Sequence, residues 1–479
     1  MTTPELGAIR STARPAATGA ANPAAILAIV LISYFMILLD NSVVFTGLPS
    51  IRAGLDLGPA TLSWVQDAYT LVFGGLLLLG ARAGDLIGRR RLFVIGLAIF
   101  GGASLLIGFA PAGWWLVGAR ALQGVGAAIV APTSLALITA NFEGKARSRA
   151  IAWYSATAGI GASLGLLIGG ALAEWVSWRA AFLVNVPIAA AMIVAARRVL
   201  AETERRPGRF DAAGAIGATL GTGALVFGVI ESADGGWTAP ETVAGLAIGA
   251  VLLAGLVVHE SRAEQPIMPL RLFRSRERSG AYAARMLYLG AMIGFFYFTT
   301  QYLQDALGFT PLEAGLGFLP MTVVSFAVAL AIPRLTARIS GAALLVAGVT
   351  ATLAGMVWLS RLDVGDSYLG AVALPMLLVG TGQGLTFAPL TSAAIAGVPA
   401  EDAGAASGLL NTAHQLGMAL GLGILVTASA QAGTWTPDRS ARITAHVSAA
   451  LTGSSVLLAV ALLVVVVVIA PARAAKGSA

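Results

Sequence analysis

Fourteen stretches of about 20 apolar residues follow one another along this chain, and each has the length a helix needs to cross a bilayer. They cover 24–48, 62–81, 92–110, 114–139, 149–173, 180–200, 212–231, 241–259, 281–303, 312–332, 341–359, 369–392, 404–428 and 449–470. In hydrocarbon every backbone polar group must be satisfied within its own segment, so such stretches are helices. Composition agrees: 57% of the 479 residues are hydrophobic and 11% are charged, against about 25% charged in a soluble domain. The expected fold class is therefore an all-α integral membrane protein with fourteen transmembrane helices. A soluble enzyme or a nucleic-acid-binding domain is excluded for want of a charged surface.

The basic residues give the orientation. With both termini in the cytoplasm, 23 of the 30 Lys and Arg fall in inner segments and five (Arg52, Arg179, Arg361, Arg439, Arg442) in outer ones, as the positive-inside rule requires. Arg120 and Arg285 lie within helices. Residues 1–22 contain no apolar run, so a cleaved leader is not expected and the first run is expected to remain as a helix. The net charge of +7 belongs to these loops, and no nucleic-acid partner is expected.

A weak internal repeat divides the chain. Gly161-Ala-Ser-Leu-Gly165-Leu reads like Gly417-Met-Ala-Leu-Gly421-Leu, a shift of 256, and Ala131-Pro132 matches Ala388-Pro389, a shift of 257. A shift of eight helices predicts two six-helix halves separated by a two-helix central insert, and parallel halves are typical of secondary transporters. The expected organisation is an inner N-terminal tail (1–23), a six-helix bundle (24–200), a linker with two extra helices at the periphery (201–280), a second six-helix bundle (281–470) and an inner C-terminal tail (471–479).

No phosphate-binding loop, HExxH or GxSxG pattern is present, and with three His and no Cys neither catalysis nor a metal centre is expected. A gradient must then drive any transport. Ionisable groups inside helices are costly and mark pathways or partners. At about 1.5 Å per residue, Asp40 lies roughly 24 Å above the inner boundary, and Arg120 and Asp67 each lie roughly 9 Å below the outer one. The three are predicted to form one cluster, with two carboxylates sharing one guanidinium and taking up protons as a coupled set. A static ion pair locking the helices together is the alternative. Gln123 and Gln383 read either as cavity donors or as packing groups. Asn411, His414 or Gln415, and Met418 share a face of helix 13; His414 serves to carry a proton or to bind substrate, or else to make interhelical hydrogen bonds. Arg285, about one turn into its helix, is expected to snorkel to the cytoplasm. Phe295-Phe296-Tyr297-Phe298 offers rings to an organic cation, or else faces lipid.

Four motifs resemble the major facilitator superfamily, in particular its fourteen-helix drug:proton antiporter branch. Leu39-Asp40-Asn41-Ser42-Val43-Val44-Phe45-Thr46-Gly47-Leu48-Pro49 resembles LDxTIVNVALP, with Phe45 at the usual Asn. Gly84-Asp85-Leu86-Ile87-Gly88-Arg89-Arg90-Arg91 resembles the gating loop after helix 2, with Ala81 at its opening Gly. The resemblance gives Gly84, Asp85, Gly88, Arg89 and Arg90 the role of a cytoplasmic gate, the acid lying near a helix N-terminus. Arg120-Ala-Leu-Gln123-Gly124-Val-Gly126 resembles the segment linked to proton coupling. Gly161-Ala-Ser-Leu-Gly165-Leu166-Leu-Ile-Gly169-Gly170 resembles the antiporter motif, with Leu166 at the motif proline. Trp178-Arg179-Ala-Ala-Phe182-Leu-Val-Asn185-Val-Pro187 fits the segment that follows in that branch.

The resemblance implies a secondary active transporter of the plasma membrane that exports hydrophobic, cationic small molecules in exchange for protons. Its halves rock about a cavity lined by helices 1, 4, 9 and 12. No cofactor beyond the coupling proton and no partner beyond substrate and lipid is expected, and the working unit is expected to be a monomer. A proton symporter or facilitator of a metabolite on the same fold is the first alternative, and a non-transporting membrane sensor the second.

Overall fold

The computed structural model describes residues 22–203, 211–263, 266, 268–399, 402–434 and 436–472. They form helices joined by short turns, with no strand among the described residues. The first six helices are α1 (Pro23–Leu55), α2 (Pro59–Ile87), α3 (Arg89–Gly108), α4 (Gly113–Asn141), α5 (Gly144–Trp175) and α6 (Trp178–Val199). Next come α7 (Ala212–Gly235) and α8 (Pro240–Arg262). The last six are α9 (Arg276–Ala306), α10 (Pro311–Thr336), α11 (Gly341–Leu359), α12 (Leu369–Ala394), α13 (Ala403–Ser429) and α14 (Arg439–Ala472). Thirteen of these are long and apolar enough to cross a membrane among the described residues. α5 is 32 residues long, and its described stretch Leu164–Trp175 is apolar. The tails expected over 1–23 and 471–479 lie almost wholly outside the described residues.

Local chemistry sets the boundaries. Pro59, Pro240 and Pro311 open α2, α8 and α10, where a missing N–H costs nothing. Thr310 and Glu313 form a reciprocal capping box at the start of α10. Gly88 joins α2 to α3 with φ +107°, a conformation that only glycine adopts without strain.

Helices α1–α6 pack as one bundle, with α2 and α3 against α4, α1 against α5 and α3 against α6. In the second bundle α9 packs against α13 and α14, and α12 against α10 and α11. The internal repeat is visible as packing. A side chain on Gly161 or Gly165 of α5 would strike Leu38 or Ser42 of α1, and one on Gly417 or Gly421 of α13 would strike Met286 or Gly290 of α9. Small residues thus bring backbones together at equivalent places in the two halves. Gly169 continues the α1 contact, and Gly170 faces the backbone of Pro311 and Leu312 in α10.

The extra helices do unequal work. α7 lies across the seam where α2 meets α13; Val226 and Ile230 are fully buried, and Thr427 of α13 donates to the Val229 carbonyl at 2.7 Å. α8 packs on α7, and Val243, Ile248, Val251 and Val257 on it are exposed.

Helices α1, α5, α9 and α13 run in the same direction, away from the end where α1 begins. Polar contacts between the halves gather at the opposite, far end. Arg52 Nη2 of α1 meets Asp305 Oδ2 of α9 at 2.8 Å, and Gln304 Nε2 donates to the Thr46 carbonyl at 2.9 Å. Gln304 and Asp305 lie in a wide π-turn, Tyr302–Ala306, that re-aims the end of α9. The Leu312 N–H of α10 donates to Glu174 of α5 at 3.1 Å.

Candidate coupling and binding site

In the first half the polar residues converge on Asp40. Its carboxylate is fully buried, and Arg120 Nη1 reaches Oδ2 at 2.8 Å. Gln123 Nε2 and Asn185 Nδ2 donate to Oδ1 at 2.8 and 2.7 Å. Arg120 Nε donates to the Val65 carbonyl of α2 at 2.9 Å, and the guanidinium lies over the Tyr69 ring, 4.3 Å from its centroid. Gln123 also donates to Ser104 of α3 at 2.8 Å. Helices α1, α2, α3, α4 and α6 therefore meet at one buried ion pair. Such a pair is stable only when further hydrogen bonds satisfy the remaining groups; here Gln123 and Asn185 do so at Oδ1, Arg120 itself holds Oδ2, and Arg120 Nη2 has no partner among the described residues.

Ser104, Tyr69 and Asn185 had no place in the predicted cluster. Asn185 was legible as an amide within an apolar run; Ser104 and the Val65 carbonyl carried no signal, because hydroxyls and backbone occur throughout such helices.

Asp67 is a correction. It was predicted to share Arg120 with Asp40, yet both its oxygens are buried with no hydrogen-bond partner among the described residues. The reason is helical phase. Val65 and Tyr69, four apart, turn one face of α2 to Arg120, and residue 67 stands about 200° away.

The second half holds a different arrangement. Arg285 was expected to snorkel, but α9 begins nine residues before it, about 14 Å by helical rise. It is 6% exposed, too deep to reach water. Its Nη2 donates to His414 Nδ1 of α13 at 3.1 Å, and its guanidinium lies 4.2 Å from the Phe387 ring centroid in α12. Nε and Nη1 have no partner among the described residues. A guanidinium only donates, so Nδ1 accepts and the imidazole is neutral.

The phase of α13 shows where this cluster points. Gly408, Thr412 and Gln415 face α2, Gly417 and Gly421 face α9, and Gly423 faces α7 on the outside of the seam. At 100° per residue, Asn411, His414 and Met418 occupy the arc between α9 and α2 on the side away from α7, toward the space between the halves. Asn411, which is exposed, donates to the Ser407 carbonyl one turn earlier at 3.1 Å. Gln383 of α12 accepts from Ser325 of α10 at 3.1 Å and so joins two helices.

The aromatic run of α9 does not face lipid. Phe295, Tyr297 and Phe298 are buried. Phe296 stacks on Phe45 of α1 at 5.5 Å and lies tilted against Phe318 of α10 at 5.5 Å, which places it between the halves.

At the terminal end each half ties its own helices. The Arg90 and Arg91 N–H groups donate to the two oxygens of Glu202, each at 3.1 Å, and Arg89 Nη1 donates to the Ala136 carbonyl at 2.8 Å. Glu202, after α6, therefore puts a carboxylate at the positive end of α3. The side chain of Asp85, expected in that role, lies outside the described residues. A Cβ at Gly84 would meet Thr133 only at ordinary contact distance. In the second half Arg271 Nε meets Asp402 Oδ2 at 2.8 Å, and this guanidinium holds the Asp402 carboxyl below its usual range.

Two packed bundles of helices, thirteen of them long and apolar enough to cross a bilayer among the described residues, each holding a buried charge, point to a multi-pass membrane protein. The sequence comparisons agree. The pattern of the Major Facilitator Superfamily matches residues 30–422, and the chain belongs to that family of transporters; it is not an enzyme. Cephamycin export protein CmcT of Amycolatopsis lactamdurans is 39% identical over 459 residues, covering 94% of this chain and 93% of that one. Puromycin resistance protein pur8 of Streptomyces alboniger is 38% identical, covering 91% and 88%. Among solved structures, the peptide transporter POT in complex with alafosfalin shares the fold with a TM-score of 0.66 at 15% identity, over 92% of this chain and 95% of that one.

Proposed function

We propose that this chain is a proton-coupled exporter of hydrophobic, cationic small molecules, working as a monomer in the plasma membrane. On this reading α5 is the fourteenth crossing, both termini are cytoplasmic, and contacts at the far end close the outer side, so the structure is the inward-facing state. Relatives named for antibiotic export and resistance support the outward direction and a small-molecule substrate.

The buried Asp40–Arg120 pair carries the coupling argument. It spans α1 and α4, so relative movement of these helices changes it. Separated from the guanidinium, a buried Asp40 carboxylate is costly as an anion and takes a proton; when the pair closes again, the proton leaves. Asp67, with no donor to either oxygen among the described residues, offers a second place for a proton or for a substrate cation. Each proton entering down 100 mV supplies about 2.3 kcal/mol.

The test uses everted vesicles with a preset acid interior and ethidium as substrate. Ethidium is expected to dissipate the pH difference in vesicles carrying the parent protein and not in those carrying Asp40→Asn. An undisturbed gradient while ethidium moves would contradict exchange and favour a facilitator.

A further inference from the structure

We propose that Arg285, flanked by His414 and Phe387, is a binding subsite for the anionic group of an amphiphilic acid, a carboxylate above all, so that the transported class extends to acids and zwitterions. The inference rests on the reading that the chain is a transporter, and not on proton coupling.

Four observations carry it. Arg285 is buried, and two of its three nitrogens have no acceptor among the described residues. Its one described polar partner, His414, is neutral and leaves the positive charge uncancelled. Asp40 offers no compensation, because it is already paired with Arg120 in the other half. The cluster also has an approach: His414 shares its arc of α13 with the exposed Asn411, on the side facing between the halves.

A buried charge is retained at a cost unless something pairs with it. A guanidinium with free N–H groups is matched by planar oxyanions. The Phe387 ring covers one face of the guanidinium and supplies an apolar wall, so the ligand that fits has an acidic head and an apolar body.

The full-length protein in nanodiscs at neutral pH is titrated with 11-(dansylamino)undecanoic acid and, separately, with its methyl ester. Energy transfer from tryptophan to the dansyl group is read against empty nanodiscs. The acid is expected to bind saturably and at least tenfold more tightly than the ester. Arg285→Gln should bring the acid down to the level of the ester and leave the ester unchanged, while Arg285→Lys should fall between. Equal binding of acid and ester by the parent, or equal loss of both in Arg285→Gln, would overturn the proposal.

Should Arg285→Gln not fold, His414→Gln provides the same reading, with selective loss of the acid as the supporting result and parallel loss of both probes as the contrary one. Adding chloride to a chloride-free buffer separates an amphiphilic acid from a bare inorganic anion. Unchanged affinity supports the proposal, and a tenfold loss would assign the site to chloride. Probe binding needs no gradient, so failure here leaves the Asp40 coupling standing, and failure of the vesicle test leaves this subsite standing.

Discussion

The two halves share a repeat and a packing scheme but treat buried charge in opposite ways. In the first, Arg120 faces one oxygen of Asp40, and donors from α4 and α6 meet the other. In the second, Arg285 faces a neutral imidazole and an aromatic ring, with no acid on its described contacts. A compensated charge contributes to the protein's own stability and changes when its helices move. An uncompensated one is a standing cost that an outside ligand can relieve. The first arrangement suits coupling, the second recognition.

The largest effect that can break this comparison is on stability. Asp40→Asn leaves Arg120 buried without its counter-charge, and about 3–5 kcal/mol of destabilisation is expected by analogy with broken buried pairs. Arg285→Gln removes a charge that had no counter-ion and should leave the thermal midpoint unchanged or raise it. Thermal unfolding of the two variants in one detergent checks both; equal losses would mean that the halves do not differ as described. A smaller effect sharpens the packing side. Gly165→Leu forces a side chain into Ser42 of α1, where even a Cβ would lie 2.6 Å from the Ser42 Cβ. Overpacking of this kind costs about 1–3 kcal/mol. Measured the same way, a neutral result would show that α1 and α5 are not held close.

The smallest stability effect is expected at the far end. Arg52 is 31% exposed and Asp305 10%, so Arg52→Ala should cost about 0.2–1 kcal/mol, in the range of exposed ion pairs. The same variant should nonetheless increase labelling of a cysteine introduced at Thr46 by an impermeant maleimide, because it removes a tie between the halves. Unchanged labelling would mean that the pair does not hold that end shut.

Helices were legible in the sequence because a bilayer enforces length and apolarity, and the repeat was legible because close packing demands glycine at matching places, as Gly161, Gly165, Gly417 and Gly421 show. Asp40, Arg120 and Gln123 could be found because ionisable and amide groups are rare in hydrocarbon. Depth arithmetic brought Asp67 to the right level but carried no information on rotation, so it could not separate the two faces of α2. Arg285 was misjudged from a helix boundary: α9 starts at Arg276 rather than at 281, and five more residues take the side chain out of snorkelling range. Glu202 escaped notice because its role, capping α3 from the end of α6, depends on a contact across more than a hundred residues.

Proton release on substrate binding is the most direct test of the central claim that buried carboxylates exchange a proton for substrate. Ethidium is added to purified protein in weakly buffered solution with a pH-indicating dye. The account predicts release of protons by the parent and none by the Asp40→Asn/Asp67→Asn double variant. Equal release by both, or binding by the parent with no release, would contradict it.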